Sequence, residues 1–475
     1  VDTAFSIIGR RVLSALAAAA ALATALAVLP AAAAGQAPSA TPNPPPYYAI
    51  TNAHIVTVSG PVIENGTVVI ANGLITAVGT NVTVPPEAWV IDGEGLTVYP
   101  GLFDALTDIG MPQEQAAAAG ASRAAALMSA ATAPTSDGPE DRPATFSSRA
   151  AADALSTDDS RIESWREGGF TTVMTVPSDG LVTGQGAVVS LATGLPAELV
   201  VRTPAALRLN LQTPRGTRGY PSSLFGVIAY HKQLFLDAAH YARATAADRA
   251  RPAGLDRPVY DPTLEPLSRA VAERWPVLIP GDEPREIVRA LTLGSELGVR
   301  TVVYGAQLGY AVADKLAAAG APVLVNLRWP ERTRDADPDA EESLASLRTR
   351  AWAPSTPKAL HEAGVPFAFY SGALGSPRDV LERVRTAIDA GLPHDAAIRA
   401  LTLGAAEIYG VADRLGSVER GKIANLVVSE GDIFDEDSKV KIVFVEGHKF
   451  EKPEAEKPAE APEADLTGTW SLTVE

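Results

Sequence analysis

Imidazole and thiol groups, which bind metals and move protons near neutral pH, are scarce in this sequence. There are six histidines and no cysteine, so thiolate ligands, thiolate nucleophiles and disulfides are all excluded. His54 and His448 fall among short strands, His231 and His240 on one long helical stretch, and His361 and His394 on later helices. His231 and His240 lie on opposite faces of a helix at their spacing, so no metal pair is read there. All six histidines are expected to be solvated surface groups. Ser371 has no evident base partner, which leaves a Ser-His-Asp arrangement unsupported. Gly180 to Gly186, with Gly184-Gln185-Gly186, is read as a tight glycine-rich loop between two strands. It lacks both a Walker lysine and dinucleotide-binding spacing.

The elements that must position these groups follow from the patterning of the chain. Its 475 residues suffice for one large domain and a smaller one. A formal charge of −16 repels nucleic acid and anionic lipid, so neither is expected as a partner. Arg10-Arg11, an uncharged run from Val12 to Leu29 and Ala32-Ala33-Ala34 read as a signal peptide over 1–34. Export to the periplasm or beyond is the expectation, with no membrane contact after cleavage. A linker over 35–46 follows. Short strands are then predicted at Tyr48–Thr51, His54–Val58, Thr67–Ile70, Leu74–Val78, Val90–Ile91 and Leu96–Tyr99, with Asn65-Gly66 and Asn72-Gly73 as hairpin turns.

From about Pro100 strands alternate with helices, the rhythm of a parallel βα-barrel. Strands are expected at Phe170–Val176, Val277–Ile279, Thr301–Tyr304, Val323–Leu327 and Pro366–Tyr370. Helices are expected at Val227–Ala250, Asp282–Leu297, Tyr310–Ala319 and Asp395–Tyr409, and irregular loops over the mouth at Gln113–Leu155 and Trp329–Pro354. Strands return at Asn425–Ser429 and Lys441–Glu446. The fold class is therefore α/β: a TIM barrel over 100–409 and a small composite β-sandwich from 47–99 and 410–451. A disordered linker over 452–465 and the start of a further β-domain over 466–475 complete the organisation.

Two segments carry a family resemblance. Asn65-Gly66-Thr67-Val68-Val69-Ile70 and Asn72-Gly73-Leu74-Ile75-Thr76-Ala77-Val78-Gly79 lead into Tyr99-Pro100-Gly101-Leu102-Phe103-Asp104. Later comes Asp413-Arg414-Leu415-Gly416-Ser417-Val418-Glu419-Arg420-Gly421-Lys422-Ile423-Ala424-Asn425-Leu426-Val427-Val428. These resemble the strands that lead into and out of the barrel in the amidohydrolase superfamily, nearest its imidazolonepropionase-like branch. Asn425 stands where that family usually has Asp.

The resemblance implies hydrolysis of non-peptide C–N bonds in cyclic amides by a water bound to zinc or another divalent metal. It also implies ligands at the C-terminal ends of the barrel strands. The first-strand His-x-His positions hold Leu106 and Asp108; the fifth-, sixth- and eighth-strand positions fall near Pro280, Gln307 and Gly372. A bridging carboxylated lysine has no candidate, because the first lysine is Lys232. No cofactor is therefore expected.

Asp104, Asp108, Asp282, Glu283, Gln307 and Ser371 remain as groups that could line the mouth. Asp104 reads as a structural hydrogen-bonding group, and Asp282 as the cap of a helix beginning at Glu283. Asp108 could be a general base in a desolvated pocket, with Gln307 stabilising an oxyanion, or a plain pocket-lining carboxylate. Three readings stay open: a pseudoenzyme paired with an active paralogue or with itself, a metal-independent hydrolase, and a non-enzymatic binding or scaffold module.

Overall fold

The computed structural model describes residues 47–112, 142–213, 220–251, 256–332, 337 and 341–451. The expected signal peptide, both linkers and the further β-domain lie outside the described residues. So do residues 113–141 of the first expected loop. No helix among the described residues is long and apolar enough to cross a membrane.

Five strands open the chain: β1 (Tyr47–Ile55), β2 (Ile63–Ala71), β3 (Leu74–Gly79), β4 (Trp89–Asp92) and β5 (Leu96–Pro100). Eight follow in the barrel: β6 (Leu102–Thr107), β7 (Phe170–Thr175), β8 (Val182–Ser190), β9 (Val200–Leu209), β10 (Pro276–Gly281), β11 (Arg300–Gly305), β12 (Val323–Asn326) and β13 (Phe367–Tyr370). The last three, β14 (Leu426–Glu430), β15 (Lys439–Val445) and β16 (His448–Glu451), return to the first group.

The two ends of the chain build one sheet, in the order β16-β15-β14-β5-β1-β2-β3, with β4 on β1. β1 and β15 stand three strand spacings apart, about 14 Å in a flat sheet. The rings of Tyr48 and Phe444 nevertheless meet edge to face at 5.2 Å. The sheet must therefore curl over its own apolar face, and Ile50, Ile55, Val68, Ile70, Val98, Leu426 and Val428 fill the fold. Asn72 and Gly73 form the β2–β3 hairpin turn with positive φ at both positions, as a two-residue type I′ turn needs. Asn65-Gly66 does not form a turn. It lies inside β2, with Gly66 opposite Ala53 at a break in register, so the dipeptide makes a bulge.

The barrel sheet runs β13-β12-β11-β10-β9-β8-β7-β6. From β9 to β13 every pairing is parallel, and β6 is parallel to β7. β8 is reversed against both neighbours. The connections explain it: residues 176–181 and 191–199 are too short for a parallel crossover, which needs a dozen or more residues. The expected Gly180–Gly186 loop is thus largely strand. At Gly184, φ is +134° and a side-chain carbon would come within 2.6 Å of the Arg149 carbonyl oxygen. Glycine is needed there so that residues 145–150 can lie against β8, where Thr145 and Ala150 bridge to Val182 and Gln185.

β6 and β13 share no ladder, and side chains close the seam between them. The Asp104 carboxylate accepts the Ser371 N–H at 3.0 Å. The Tyr409 hydroxyl donates to Ala105 O at 2.6 Å, and Phe103 N–H donates to Leu401 O at 2.7 Å. That last bond accounts for a second departure: the helix expected over Asp395–Tyr409 is two, His394–Ala400 and Leu403–Ile408, broken where Leu401 gives its carbonyl to the barrel. The expected loop Trp329–Pro354 contains a helix, Leu344–Trp352.

Candidate functional site

The C-terminal ends of the parallel strands form the barrel mouth, where side chains of such folds do chemistry. Of the positions that match the family's ligands, Leu106 is buried in the barrel interior beside Phe103 and Tyr409. Pro280 is a half-buried residue of β10. Gly372 has φ +58°, and a side-chain carbon there would collide with the Asn326 amide. Any side chain at that position would have to displace the amide.

Asp108 does not sit in a desolvated pocket. Its side chain is 50% exposed and ion-paired to the Arg161 guanidinium at 2.5 Å. Arg161 is also gripped by Asp159 at 2.7 Å, so Asp108 is the outer member of a three-charge surface cluster. Gln307 is equally committed. Its amide donates to Arg328 O at 2.5 Å, and its backbone carbonyl accepts from the Thr356 hydroxyl at 2.8 Å. Its side-chain donor ties down a loop instead of facing a reacting carbonyl.

Asp282 is not the helix cap. The helix runs Pro284–Leu297 with Glu283 at its cap position, and Glu286 reaches back to the N–H groups of Asp282 and Glu283. The Asp282 carboxyl instead packs against Gly305. Loss of water there, with Glu286 and Glu283 nearby, holds it above the usual carboxylate range against one backbone N–H from Gln307.

Asp104 and Ser371 are brought together. The buried Asp104 carboxylate takes the Ser371 N–H, the Leu106 N–H at 3.4 Å and the Trp165 indole at 3.4 Å. Burial pushes its pKa up to about 6, against these hydrogen bonds, which favour the charged form. Its partners are the barrel seam and a helix outside it, so Asp104 is a fastening.

His231 overturns the expectation of a solvated side chain. It is fully buried and its Nε2 lies 3.0 Å from Asn210 O. Burial lowers its pKa to about 4. The other five do not approach the mouth together. His54 pairs with Glu64 at 2.8 Å, His394 with Asp432 at 2.7 Å, and His240, His361 and His448 are exposed. Among the described residues no three His, Asp or Glu side chains converge on a common point. The donor set does not fit a divalent metal.

The mouth holds a different constellation, invisible in the sequence reading. Ala206 on β9, Leu278, Val302, Leu324 and Ala368 line the barrel interior. By alternation, Arg208 faces the same way as Ala206. Its guanidinium lies over the Tyr304 ring at 5.0 Å, and its Nε donates to the Tyr304 hydroxyl at 3.4 Å. That hydroxyl donates to Asn210 Oδ1 at 2.9 Å. The Asn210 amide in turn donates to Ser178 O and Gly180 O at 3.1 and 2.8 Å. Tyr370 completes the group, buried, with its pKa raised chiefly by burial and then by Asp282.

The amidohydrolase family model matches residues 339–449. A solved amidohydrolase from Thermotoga maritima shares 24% identity at a TM-score of 0.71, covering 85% of this chain and 100% of that one. A prolidase solved with N-methylphosphonate-L-proline shares 18% identity at a TM-score of 0.51, covering 86% and 100%. No curated protein matches. These two likenesses concern the fold. The family match is confined to residues 339–449, and the barrel with a flanking β-sheet is similar in fold to these solved amidohydrolase-type structures.

Proposed function

We propose that this chain is an exported pseudoenzyme of the amidohydrolase superfamily, derived from hydrolases of C–N bonds in cyclic amides and retained for binding. One observation carries the reading. The positions where the family's ligands would stand hold Leu106, Asp108, Pro280, Gln307 and Gly372, and these residues pack the barrel, pair with arginine or shape turns. Leucine, proline and glycine offer no side-chain donor, and the two polar positions are already engaged. Partnership with an active paralogue, or with a second copy, fits a fold kept without its metal chemistry. The basic, apolar and A-x-A segments of residues 10–34 support export.

A metal-independent hydrolase has nothing in its favour at Asp108. The Asp108 carboxylate is half-exposed and bonded to Arg161 at the surface, so it has no water-excluded pocket in which to meet a substrate.

Elemental analysis of the purified full chain tests the proposal. The expected result is less than stoichiometric zinc, manganese or nickel, a melting temperature unchanged by chelator, and no turnover of Xaa-Pro dipeptides or imidazolone-type amides. One equivalent of metal per chain, or metal-dependent turnover, overturns it.

A further inference from the structure

We propose that the end of the barrel opposite the mouth carries a binding site for the phosphate group of a small ligand, formed by Arg202, Arg274 and Arg300 with Arg414 beside them. The site stands or falls independently of the metal-free reading above.

The first support is placement. β9, β10 and β11 are neighbours and run parallel, so their first residues share one end of the barrel. Arg202 is the third residue of β9, Arg274 lies two residues before β10, and Arg300 opens β11 opposite Pro276. Two of the guanidiniums are fixed on one turn of backbone. Arg202 Nη1 donates to Gly410 O at 2.6 Å, and Arg300 Nη2 donates to Ile408 O at 3.0 Å. The turn is itself anchored, because the Tyr409 hydroxyl between them donates to Ala105 O. At Gly410 φ is +66°, and a side-chain carbon there would come within 2.7 Å of Arg202 Nη1. Arg414 donates to Val201 O at 2.9 Å, next to Arg202.

The second support is uncompensated charge. None of the four arginines makes an ion pair among the described residues. Nearby carboxylates in the sequence are engaged elsewhere: Glu273 holds Arg269 and the Trp275 indole, and Glu407 holds Arg399. Asp413 is exposed and pairs with none of the four. Each backbone bond uses one N–H of a group that carries five, so most of the donors of Arg202 and Arg300 remain open. Arg300 is half-buried. Burial, and then the like charges of Arg202 and Arg274, draw its pKa below the ordinary arginine range. A cation crowded by cations and partly out of water is costly, and an anion carrying more than one charge offsets that cost.

Arg274 adds a third observation. It has a φ of +55° in the turn that closes the helix Leu264–Ala272, where the Trp275 N–H bonds to Ala270 O at 2.9 Å. Such a position favours glycine, so the turn alone gives no reason for an arginine. The ligand class follows from the donors. Neighbouring guanidinium forks match the several oxygens and double charge of a phosphate group better than they match a carboxylate. The charge of −16 over the whole chain disfavours long polyanions, which leaves a small phosphate compound.

Calorimetric titration of the purified full chain at fixed ionic strength tests the site, with inorganic phosphate, pyrophosphate and glycerol 3-phosphate as ligands and acetate as the contrast. The expected result is saturable binding of a phosphate compound, with acetate weaker by roughly tenfold or more. Preference for phosphate or pyrophosphate assigns the free anion, and preference for glycerol 3-phosphate assigns an ester. Arg300→Gln, folded by circular dichroism, should weaken binding by roughly tenfold. Arg274→Gly removes a cation while giving its turn the favoured residue, so it should fold and still weaken binding by roughly tenfold. It carries the test if Arg300→Gln does not fold. Arg378→Gln, at an exposed residue beyond the other end of β13, should bind as the parent does. Absence of saturable phosphate binding, acetate bound as tightly, or unchanged binding in folded Arg274→Gly overturns the site. So does an equal loss in Arg378→Gln, which would reduce the effect to overall charge.

Discussion

The two halves of the barrel are built on different plans. From β10 to β13 every strand is parallel to the next, and helices separate β10, β11, β12 and β13 in the chain. From β6 to β9 one strand runs backwards, two links are short, and residues 142–151 are drawn in against β8. Buried polar fastenings concentrate in this second half. Arg142 pairs with Asp261 at 2.8 Å with both side chains 7% exposed, Thr145 meets the Tyr230 hydroxyl at 2.6 Å, and Ser147 donates to Thr263 O at 2.5 Å. A regular half can rely on repeated strand-to-helix packing. An irregular half needs specific bonds, and it is the half that supplies Arg208.

The sharpest test of this contrast is a pair of glycines. Gly184→Val forces a side chain against Arg149 O at a backbone angle valine resists, and should cost about 4 kcal/mol in chemical denaturation. Gly298→Ala, in the regular half, has open space and only its φ of +67° against it; about 1 kcal/mol is expected. Equal losses would break the comparison.

A second test uses two buried titrating groups whose effects oppose each other. The pKa of Asp104 is raised to about 6, so the fold prefers its protonated form. Stability from this group falls as pH rises from about 4 to 6. The pKa of His231 is lowered to about 4, so stability from it is full above the ordinary histidine range and falls as pH drops toward 4. Each is worth up to about 3 kcal/mol, and they nearly cancel between pH 4 and 6. Asp104→Asn should therefore leave a stability that climbs with pH in that window. His231→Leu should leave one that declines. Parallel curves for the two variants would refute the opposition.

The smallest effect is expected outside the barrel sheet. His394 has its pKa raised by Asp432, so the pair stabilises below the ordinary histidine range and loses that contribution as pH rises through the raised value. Both side chains are partly exposed, which limits the contribution to under about 1 kcal/mol. Thermal melts of His394→Gln from pH 6 to 8 should show a shallower decline than the parent.

Much of the architecture was legible because it obeys local rules. The regular half reads directly from apolar strands spaced by amphipathic helices, and Asn72-Gly73 forms the turn its type dictates. The reversed strand was hidden because glycines at 184 and 186 look like loop and Pro204 interrupts β9. Asn65-Gly66 carries a turn signature, yet the register with β1 makes it a bulge. His231 had a readable signal: Val227, His231, Leu234 and Ala238 fall on one helical stripe, and all four are buried. Arg208 had none. Its importance comes from facing Tyr304, a residue far along the chain, across the barrel interior.

The shared sheet also governs how the molecule comes off the ribosome. β5 lies between β1, made just before it, and β14, made after the whole barrel. Until Leu426–Glu430 emerge, one side of β5 stays an open edge, which invites association with other chains. Synthesis delays the closing partner by many seconds at ordinary elongation rates. A topology that knits its first strands to its last leaves that edge to be closed only after the whole barrel has been made.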